Sequence, residues 1–469
     1  MACTDNTVSI MSELFARITS AENIQQAYEH VLSTFSSEGG EKTFFRPGPD
    51  GEELNAFNAD LKRNLESIRA RLRSGTFQFG AYQETRFLKP GGKKFRYVGQ
   101  FNLRDRIVQR AIQQVVVPAY DSAFSAGLLS GRKGHGSLEG VMRVIKILNT
   151  EHGMMWAYKT DIRNYAGSMD HKIISEQLGK LFRDEPEVLS LMLSHIKQPR
   201  SGDKARDKGI TQGSHLADFL YDVYLNDLDH YMENNGYAYM RYSDDIFVLG
   251  KSEAEIMMAK ELIEGFLRKV NLSQSMEKTM IAAPGEQFDF LGYLIKGQTF
   301  AISEQPVADL RSWVKRSIQK KKYSALRSLP RDIALKRIID EFQSTENLLH
   351  MLSWLSYFSR INDVSQLRSA DRMIREHIGS ALTQCVSSKN YRYASSKKLR
   401  KLGLHSMVAL HYRLYTGRKL PRDVREKVGK LRLFSPSLRL STRVFMRANA
   451  NAPQTGIGSS ASTPDYSPP

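Results

Sequence analysis

The stretch Tyr239-Met240-Arg241-Tyr242-Ser243-Asp244-Asp245-Ile246-Phe247-Val248-Leu249 sets two adjacent carboxylates between two apolar, aromatic-rich runs. The small polar pair Ser243-Asp244 marks a tight turn, so the segment is expected to form a β-hairpin with both aspartates at its tip. Neighbouring carboxylates repel unless a cation neutralises them, and hard oxygen donors suit Mg²⁺ or Mn²⁺. An Asp-Asp turn by itself is usually ordinary surface, but a third carboxylate, Asp161, ends the strand-like run Met154-Met155-Trp156-Ala157-Tyr158-Lys159-Thr160-Asp161-Ile162. If that strand end lies beside the hairpin tip, Asp161 and Asp244 could bridge two cations. Such a pair lowers the pKa of an attacking hydroxyl and neutralises charge on a transferring phosphoryl group.

The elements around these aspartates follow from periodicity. Helical spacing runs through residues 8–35 (Ile10, Leu14, Ile18, Ile24, Ala27, Tyr28, Val31, Leu32) and through Leu54, Phe57, Leu61, Leu65, Ile68 and Leu72. Strands are expected at 77–79 and 85–88. The turn Pro90-Gly91-Gly92 then leads into a basic strand with Lys93, Lys94 and Arg96, which could clamp phosphates. A helix follows from Leu103. Arg132-Lys133-Gly134-His135-Gly136 sets cations on a backbone that tolerates close approach. Between the strand ending in Asp161 and the hairpin lie a helix at 172–182, the loop Lys208-Gly209-Ile210-Thr211-Gln212-Gly213-Ser214, and one long helix-like segment from Leu216 to Met232. The loop glycines would let a base or sugar lie against the backbone, where Gln212 can hydrogen-bond it. A helix at 254–270 and a strand at 288–295 complete this part.

Charge divides the chain. Residues 301–450 hold 31 Lys and Arg against 11 Asp and Glu, a balance of +20, so the total of +18 leaves residues 1–300 almost neutral. A mostly helical region with this concentration of cations, interleaved with Tyr391, Tyr393, Tyr412 and Tyr415, suits a polyanion whose bases could stack on exposed rings. Two cysteines, Cys3 and Cys385, are too few for a disulfide framework or a Cys-based zinc site. Neither a membrane span nor a basic-then-apolar leader is legible, so a cytoplasmic protein is expected. The stretch 448–469, poor in apolar bulk, is expected to be disordered.

In this order the segments resemble bacterial reverse transcriptases, of the group II intron type and its retron, abortive-infection and defence-associated relatives. Tyr242-Ser243-Asp244-Asp245 is similar to the Tyr-x-Asp-Asp box, Asp161-Ile162-Arg163-Asn164-Tyr165 through Met169-Asp170-His171 to the first metal-binding motif, and Gly209 to Ser214 to the Gln-Gly loop. Arg96, the helix around Arg104-Asp105-Arg106, and Arg132-x-Gly134-x-Gly136 resemble fingers motifs, while Glu277-Lys278-Thr279 and Phe290-Leu291-Gly292-Tyr293 resemble those that close the palm. The resemblance implies metal contacts from Asp161, Ile162, Asp244 and Asp245, with Lys278 as a general acid. It further implies nucleotide or template contacts from Arg96, Arg132, Tyr165, Ala166, Gln212, Gly213 and Tyr242. Ala166 stands where relatives carry the Phe or Tyr that packs beneath the incoming ribose and blocks a 2′-hydroxyl; either Ala166 leaves that gate open or Tyr165 swings in to fill it.

The implied fold is an α+β right hand. Its expected parts are an N-terminal helical extension (1–50), fingers (51–140), an antiparallel-sheet palm (141–300), a basic α-helical thumb (301–447) and a tail (448–469). The implied activity is RNA-templated DNA synthesis with Mg²⁺ or Mn²⁺, acting on an RNA template, a DNA primer or product, and nucleoside triphosphates. No His/Asn or Cys-rich nuclease module is legible after the helical region, so built-in target-primed integration is not expected. The absence of maturase features, with Thr211 and Ala217-Asp218 where intron-encoded relatives differ, leads to the expectation of copying a dedicated non-coding RNA in anti-phage defence. A template-independent nucleotidyl transferase and an RNA-binding, maturase-type protein are the alternatives.

Overall fold

A computed structural model of the protein describes residues 12–34, 46–88, 95–202, 206–318, 323, 326, 328–383 and 394–431. The tip of the basic hairpin with Lys93 and Lys94, the side chain of Arg96, the rings of Tyr391 and Tyr393, and the tail 448–469 lie outside the described residues. The chain divides into two compact units, one within Met1–Leu291 and Lys296–Gln298, the other within Gly292–Ile295 and Thr299–Pro469.

The first unit starts with α1 (Glu13–Ile18) and α2 (Ala21–Thr34), then α3 (Leu54–Ala59) and α4 (Leu61–Arg73). The single helical stripe expected over 8–35 is two helices, broken where the Thr19 hydroxyl turns back onto the Phe15 carbonyl at 2.9 Å. Phe77 and Phe79 do not form a strand. Both are buried and pack edge to face at 5.2 Å, while the N–H groups of Thr76, Phe77 and Gly80 go to the Arg71 carbonyl and to Asp105 instead of a partner strand.

The hairpin β1 (Gln83–Leu88) and β2 (Phe95–Gln100) pairs in antiparallel register from Gln83↔Gln100 to Leu88↔Phe95. It leads into α5 (Leu103–Ala119), buried through Ile107, Val108, Ala111, Ile112 and Val115, and then α6 (Ser137–Thr150). The central sheet comprises β3 (Trp156–Asp161), β4 (Ala238–Tyr242), β5 (Asp245–Gly250) and β6 (Met280–Ala282), in the order β4-β5-β3-β6 with every pairing antiparallel.

Ile246, Phe247, Val248 and Leu249 are all fully buried, because α12 (Glu253–Lys269) packs on one face of β5 and Phe247 stacks on Phe290 at 4.3 Å. Each such side chain contributes roughly 1.5–3 kcal/mol. Burial on both faces explains why the run is continuously apolar instead of alternating.

Between β3 and β4 come α7 (Tyr165–Ser168), α8 (His171–Leu181), α9 (Pro186–Ile196), α10 (Ala217–Tyr224) and α11 (Asn226–Asn234). The long helix expected from Leu216 to Met232 is α10 and α11, separated at Leu225 (φ −112°, ψ 8°). Helical periodicity continues through the break, so only the tertiary arrangement of Asp222 and Asp229, described below, reveals it.

The single strand expected at 288–295 is interrupted at Leu291 and Gly292, both at positive φ, and the short strands Tyr293–Lys296 and Thr299–Ile302 follow. The second unit is otherwise helical: α13 (Glu304–Ser317), α14 (Arg331–Phe342), α15 (Thr345–Tyr357), α16 (Ser365–Thr383), α17 (Ser396–Lys401), α18 (Met407–Tyr415) and α19 (Arg422–Leu431). Its core takes Leu310, Val314, Ile338, Leu348, Leu355 and Ile378. Arg311, Lys315, Lys336, Arg337, Arg400, Arg413 and Arg422 stay exposed. No helix among the described residues is long and apolar enough to cross a membrane.

Candidate active site

The pleat of the central sheet puts the carboxylates together. Antiparallel pairing of β3 with β5 sets Asp161 directly opposite Asp245, and the Ile162 N–H donates to the Asp244 carbonyl at 3.0 Å. Asp244 occupies the two-residue turn of the β4–β5 hairpin, preceded by Ser243 at φ +56°, a left-handed position that costs a non-glycine residue about 1–2 kcal/mol.

The segment after α12 brings in the lysine. The Ser275 N–H donates to the Asp161 carbonyl at 2.7 Å, and Thr279 and Thr160 share a hydroxyl hydrogen bond of 2.7 Å. Held between those two ties, Lys278 reaches the Asp161 Oδ2 at 2.5 Å.

The electrostatics are those of crowded negative charge. Burial pushes the Asp245 carboxyl up to about 6; Lys159 and Lys278 oppose the shift, and Asp244 and Asp161 reinforce it. Burial pulls the Lys278 ammonium down, but its Asp161 hydrogen bond and the three carboxylates outweigh that and hold it above the ordinary lysine value. The donor set therefore fits a hard divalent cation in both chemistry and charge. Even so, among the described residues no three His, Cys, Asp or Glu side chains converge on a common metal position. One Asp161 oxygen is turned to Lys278, which supplies the local positive charge.

Beside the carboxylates, α7 and the Gln-Gly loop form one tightly packed wall. The Ile210 N–H donates to the Ala166 carbonyl and the Gly209 N–H to that of Met169, both at 2.7 Å. Tyr165 does not project into the site: it is buried, its hydroxyl donates to the Tyr221 carbonyl at 2.5 Å, and its ring packs on Tyr221 and Tyr224. Ala166 presents only a methyl group.

The loop also leans on the β1–β2 hairpin. The Gly99 N–H donates to the Gln212 carbonyl at 2.7 Å, Thr211 donates to the Tyr82 hydroxyl at 2.6 Å, and a Cβ on Gly213 would lie 2.8 Å from Val98 Cγ1. Behind the loop, Ser214 meets His195 at 2.9 Å, and Gln198 joins His195 to the Asp105 carboxylate.

Arg132, expected to reach nucleotide, is largely buried and engaged internally. It donates to the Asp121 carboxylate at 2.9 and 3.2 Å, to the Asp121 carbonyl at 3.0 Å and to that of Ser125 at 2.7 Å. A guanidinium closed on so many acceptors braces the 121–132 loop and has little left for a ligand. Tyr242 is half-buried; burial, then Asp218 and Asp222, raise its hydroxyl pKa.

Arg241, one residue before the Tyr242-Ser243-Asp244-Asp245 box, went unremarked in the sequence reading, although its side chain is fully buried. An arginine inside an otherwise apolar strand was the available signal, because a guanidinium there requires buried acids nearby.

An antiparallel sheet here offers carboxylates from a strand end and an adjacent hairpin turn, flanked by a lysine and a Gln-Gly loop, the arrangement that the motif resemblance implies for a polymerase palm. Residues 87–295 match the family model for reverse transcriptase (RNA-dependent DNA polymerase). Over 333 residues it is 26% identical to protein YkfC of Escherichia coli (strain K12), covering 62% of this chain and 84% of that protein. It is 20% identical over 306 residues to the group II intron-encoded protein LtrA of Lactococcus lactis subsp. cremoris, spanning half of each. Among solved structures, the apo telomerase from Candida Tropicalis aligns with a TM-score of 0.41 and 13% identity, over 78% of this chain and 69% of that one.

Proposed function

We propose that the protein is an RNA-templated DNA polymerase whose reacting centre is Asp161, Asp244 and Asp245. The observation that carries this reading is the register of β3 against β5, which sets Asp161 opposite Asp245, whose carboxyl is pushed up to about 6 first by burial and then by the neighbouring Asp244 and Asp161 charges. Repulsion of that kind is relieved by divalent cations, and Asp161, Asp244, Asp245 and the main chain at Ile162 would hold two of them. Bound Mg²⁺ or Mn²⁺ would supply charge neutralisation at the attacking 3′-hydroxyl and the transferring phosphoryl group.

The chain's own groups do the rest. Lys278 is placed to give a proton to departing pyrophosphate, and the Gln212-Gly213 backbone, braced on β2, forms the surface against which nucleotide and template lie. In the second unit, exposed Tyr412 and Tyr415 stand on α18 with the Arg418 guanidinium 5.4 Å from the Tyr412 ring centroid. Exposed rings among arginines suit the backbone and bases of a nucleic acid. The template is proposed to be a dedicated non-coding RNA and the setting anti-phage defence, on the motif resemblance to defence-associated relatives.

Primer extension on poly(rA)·oligo(dT) tests the reading. The wild type should incorporate dTTP in Mg²⁺, and Asp161→Asn or Asp244→Asn should lower incorporation by about a thousandfold or more, with folding and RNA binding retained. Substantial incorporation by either variant would overturn the assignment. Sequencing of nucleic acid that co-purifies with the protein would identify the template.

A further inference from the structure

Beneath the Asp244 turn lies a buried ion cluster that the polymerase reading does not use. The Arg241 side chain is fully buried; its Nε donates to Asp229 Oδ1 at 2.8 Å and its Nη2 to Asp229 Oδ2 at 2.5 Å and to the Asp222 carbonyl at 3.2 Å. Asp229 is itself fully buried and also accepts the Tyr239 hydroxyl at 2.7 Å. The carboxylate of Asp222, nearly as buried, lies 3.9 Å from Arg241 Nη1 and accepts the Ser130 hydroxyl at 3.0 Å. Space for it exists because residue 131 is glycine: a Cβ there would come within 2.1 Å of Asp222 Oδ2.

The cluster has two outputs, and both fall on one residue. Arg241 Nη1 donates to the Ser243 carbonyl at 3.1 Å, and the Ser243 N–H donates to Ser130 Oγ at 3.0 Å. Ser243 is the strained, left-handed residue whose carbonyl begins the peptide bond to Asp244. Its two backbone groups are thus gripped from below by a guanidinium and by a hydroxyl that is itself held by Asp222.

A buried Arg241–Asp229 ion pair beside a second buried acid, Asp222, whose carboxyl burial pushes up to about 8, is a poor way to gain stability, since the desolvation of each ion costs several kcal/mol and well-packed apolar side chains serve as well or better. What such a cluster does supply is direction, and the direction here is the orientation of the turn.

We propose that Arg241, Asp222 and Ser130 are positioning residues that hold the Ser243–Asp244 peptide so that the Asp244 carboxylate faces Asp161 and Asp245. The inference rests on the reading that Asp244 belongs to the reacting centre. None of the three touches substrate; they act through Asp244, and misplacing a reacting group by about 1 Å costs on the order of a hundredfold in rate.

Ser130→Ala in the full-length protein is the test, because it removes one oxygen and leaves the Arg241–Asp229 pair in place. Primer extension on poly(rA)·oligo(dT) should show kcat lowered about ten- to a hundredfold. The Mg²⁺ half-saturation point should rise, with the KM for dTTP and the thermal midpoint close to wild type, and Ser130→Thr, which restores the hydroxyl, should recover most of kcat. Asp244→Asn is run in parallel. If Asp244→Asn is inactive while Ser130→Ala keeps the wild-type kcat and Mg²⁺ curve, the positioning role is wrong and the polymerase reading stands. A lower thermal midpoint with an unchanged Mg²⁺ curve makes the cluster merely structural and also overturns the proposal. If Asp244→Asn stays active, the reading of the site and this inference fall together.

Discussion

Lys278 holds its ammonium 2.5 Å from Asp161 Oδ2, on a carboxylate that stands opposite Asp245 across the sheet. Here the lysine competes with any cation that Asp161 would bind. Lys278→Ala should therefore weaken catalysis and strengthen Mg²⁺ binding: the incorporation rate falls by about 10²-fold or more, as for loss of a general acid, while Mg²⁺ half-saturation moves to lower concentration. The pH–rate profile of the variant should also lose its alkaline limb. A magnesium titration and a pH series of primer extension read both effects; an unchanged rate would remove Lys278 from the chemistry.

Gly213 sits at φ +98°, with its Cβ position 2.8 Å from Val98 Cγ1 and 3.0 Å from the Gly99 carbonyl. Gly213→Ala combines backbone strain with a clash against β2, so a loss of about 1–3 kcal/mol is expected, together with weaker nucleotide incorporation. Urea unfolding measures the first and primer extension the second. Gly429→Ala, on an exposed turn of α19 with nothing within 4 Å of the added methyl group, should leave incorporation unchanged and raise stability by up to about 0.5–1 kcal/mol through helix propensity, and serves as the control.

The burial of Tyr165 bears on sugar choice. With its hydroxyl on the Tyr221 carbonyl and its ring among Tyr221 and Tyr224, it cannot also wall the nucleotide site, and Ala166 is too small to do so. The wild type should therefore accept rNTPs alongside dNTPs, and Ala166→Phe should reject rNTPs with dNTP incorporation retained. Competition assays on one template measure the ratio. A wild type that already excludes rNTPs, and loses that selectivity in Tyr165→Ala, would place the gate at Tyr165.

His195 gives the first unit an acid sensitivity. Burial lowers its pKa to about 4, against the Gln198 hydrogen bond that raises it. Because the folded value lies below the unfolded value of about 6.5, the neutral ring favours folding above that pH, and the advantage is lost as pH falls from about 6.5 towards 4, at about 1.4 kcal/mol per pH unit. Buried Asp105, whose carboxyl burial pushes up to about 7, works in the opposite sense, so the check is the difference: between pH 7 and pH 5 the thermal midpoint of the wild type should lose ground relative to that of His195→Gln. An identical slope in both proteins would refute the assignment.

What the sequence determined by itself was local. Apolar composition on either side of Ser243-Asp244 was enough for the β4–β5 hairpin, and the run ending at Asp161 was enough for β3, because strand propensity and turn chemistry act over a few residues. The helical stripes of the second unit were legible for the same reason, and so was their basic outer side. Spacing could not say where a long polar side chain would end. Lys278 meets Asp161 across 117 residues of chain, and Ser243 meets Ser130 across 113.

Only the tertiary structure decided that Arg132 closes on Asp121, that Tyr165 turns into the core, and that Arg241 lies buried beneath the turn it precedes. It likewise broke the helical periodicity of 216–232 at Leu225, allowing Asp222 from α10 and Asp229 from α11 both to face Arg241. A buried charge must find its partner wherever the fold can bring one, and that cost is absent from any short window of sequence.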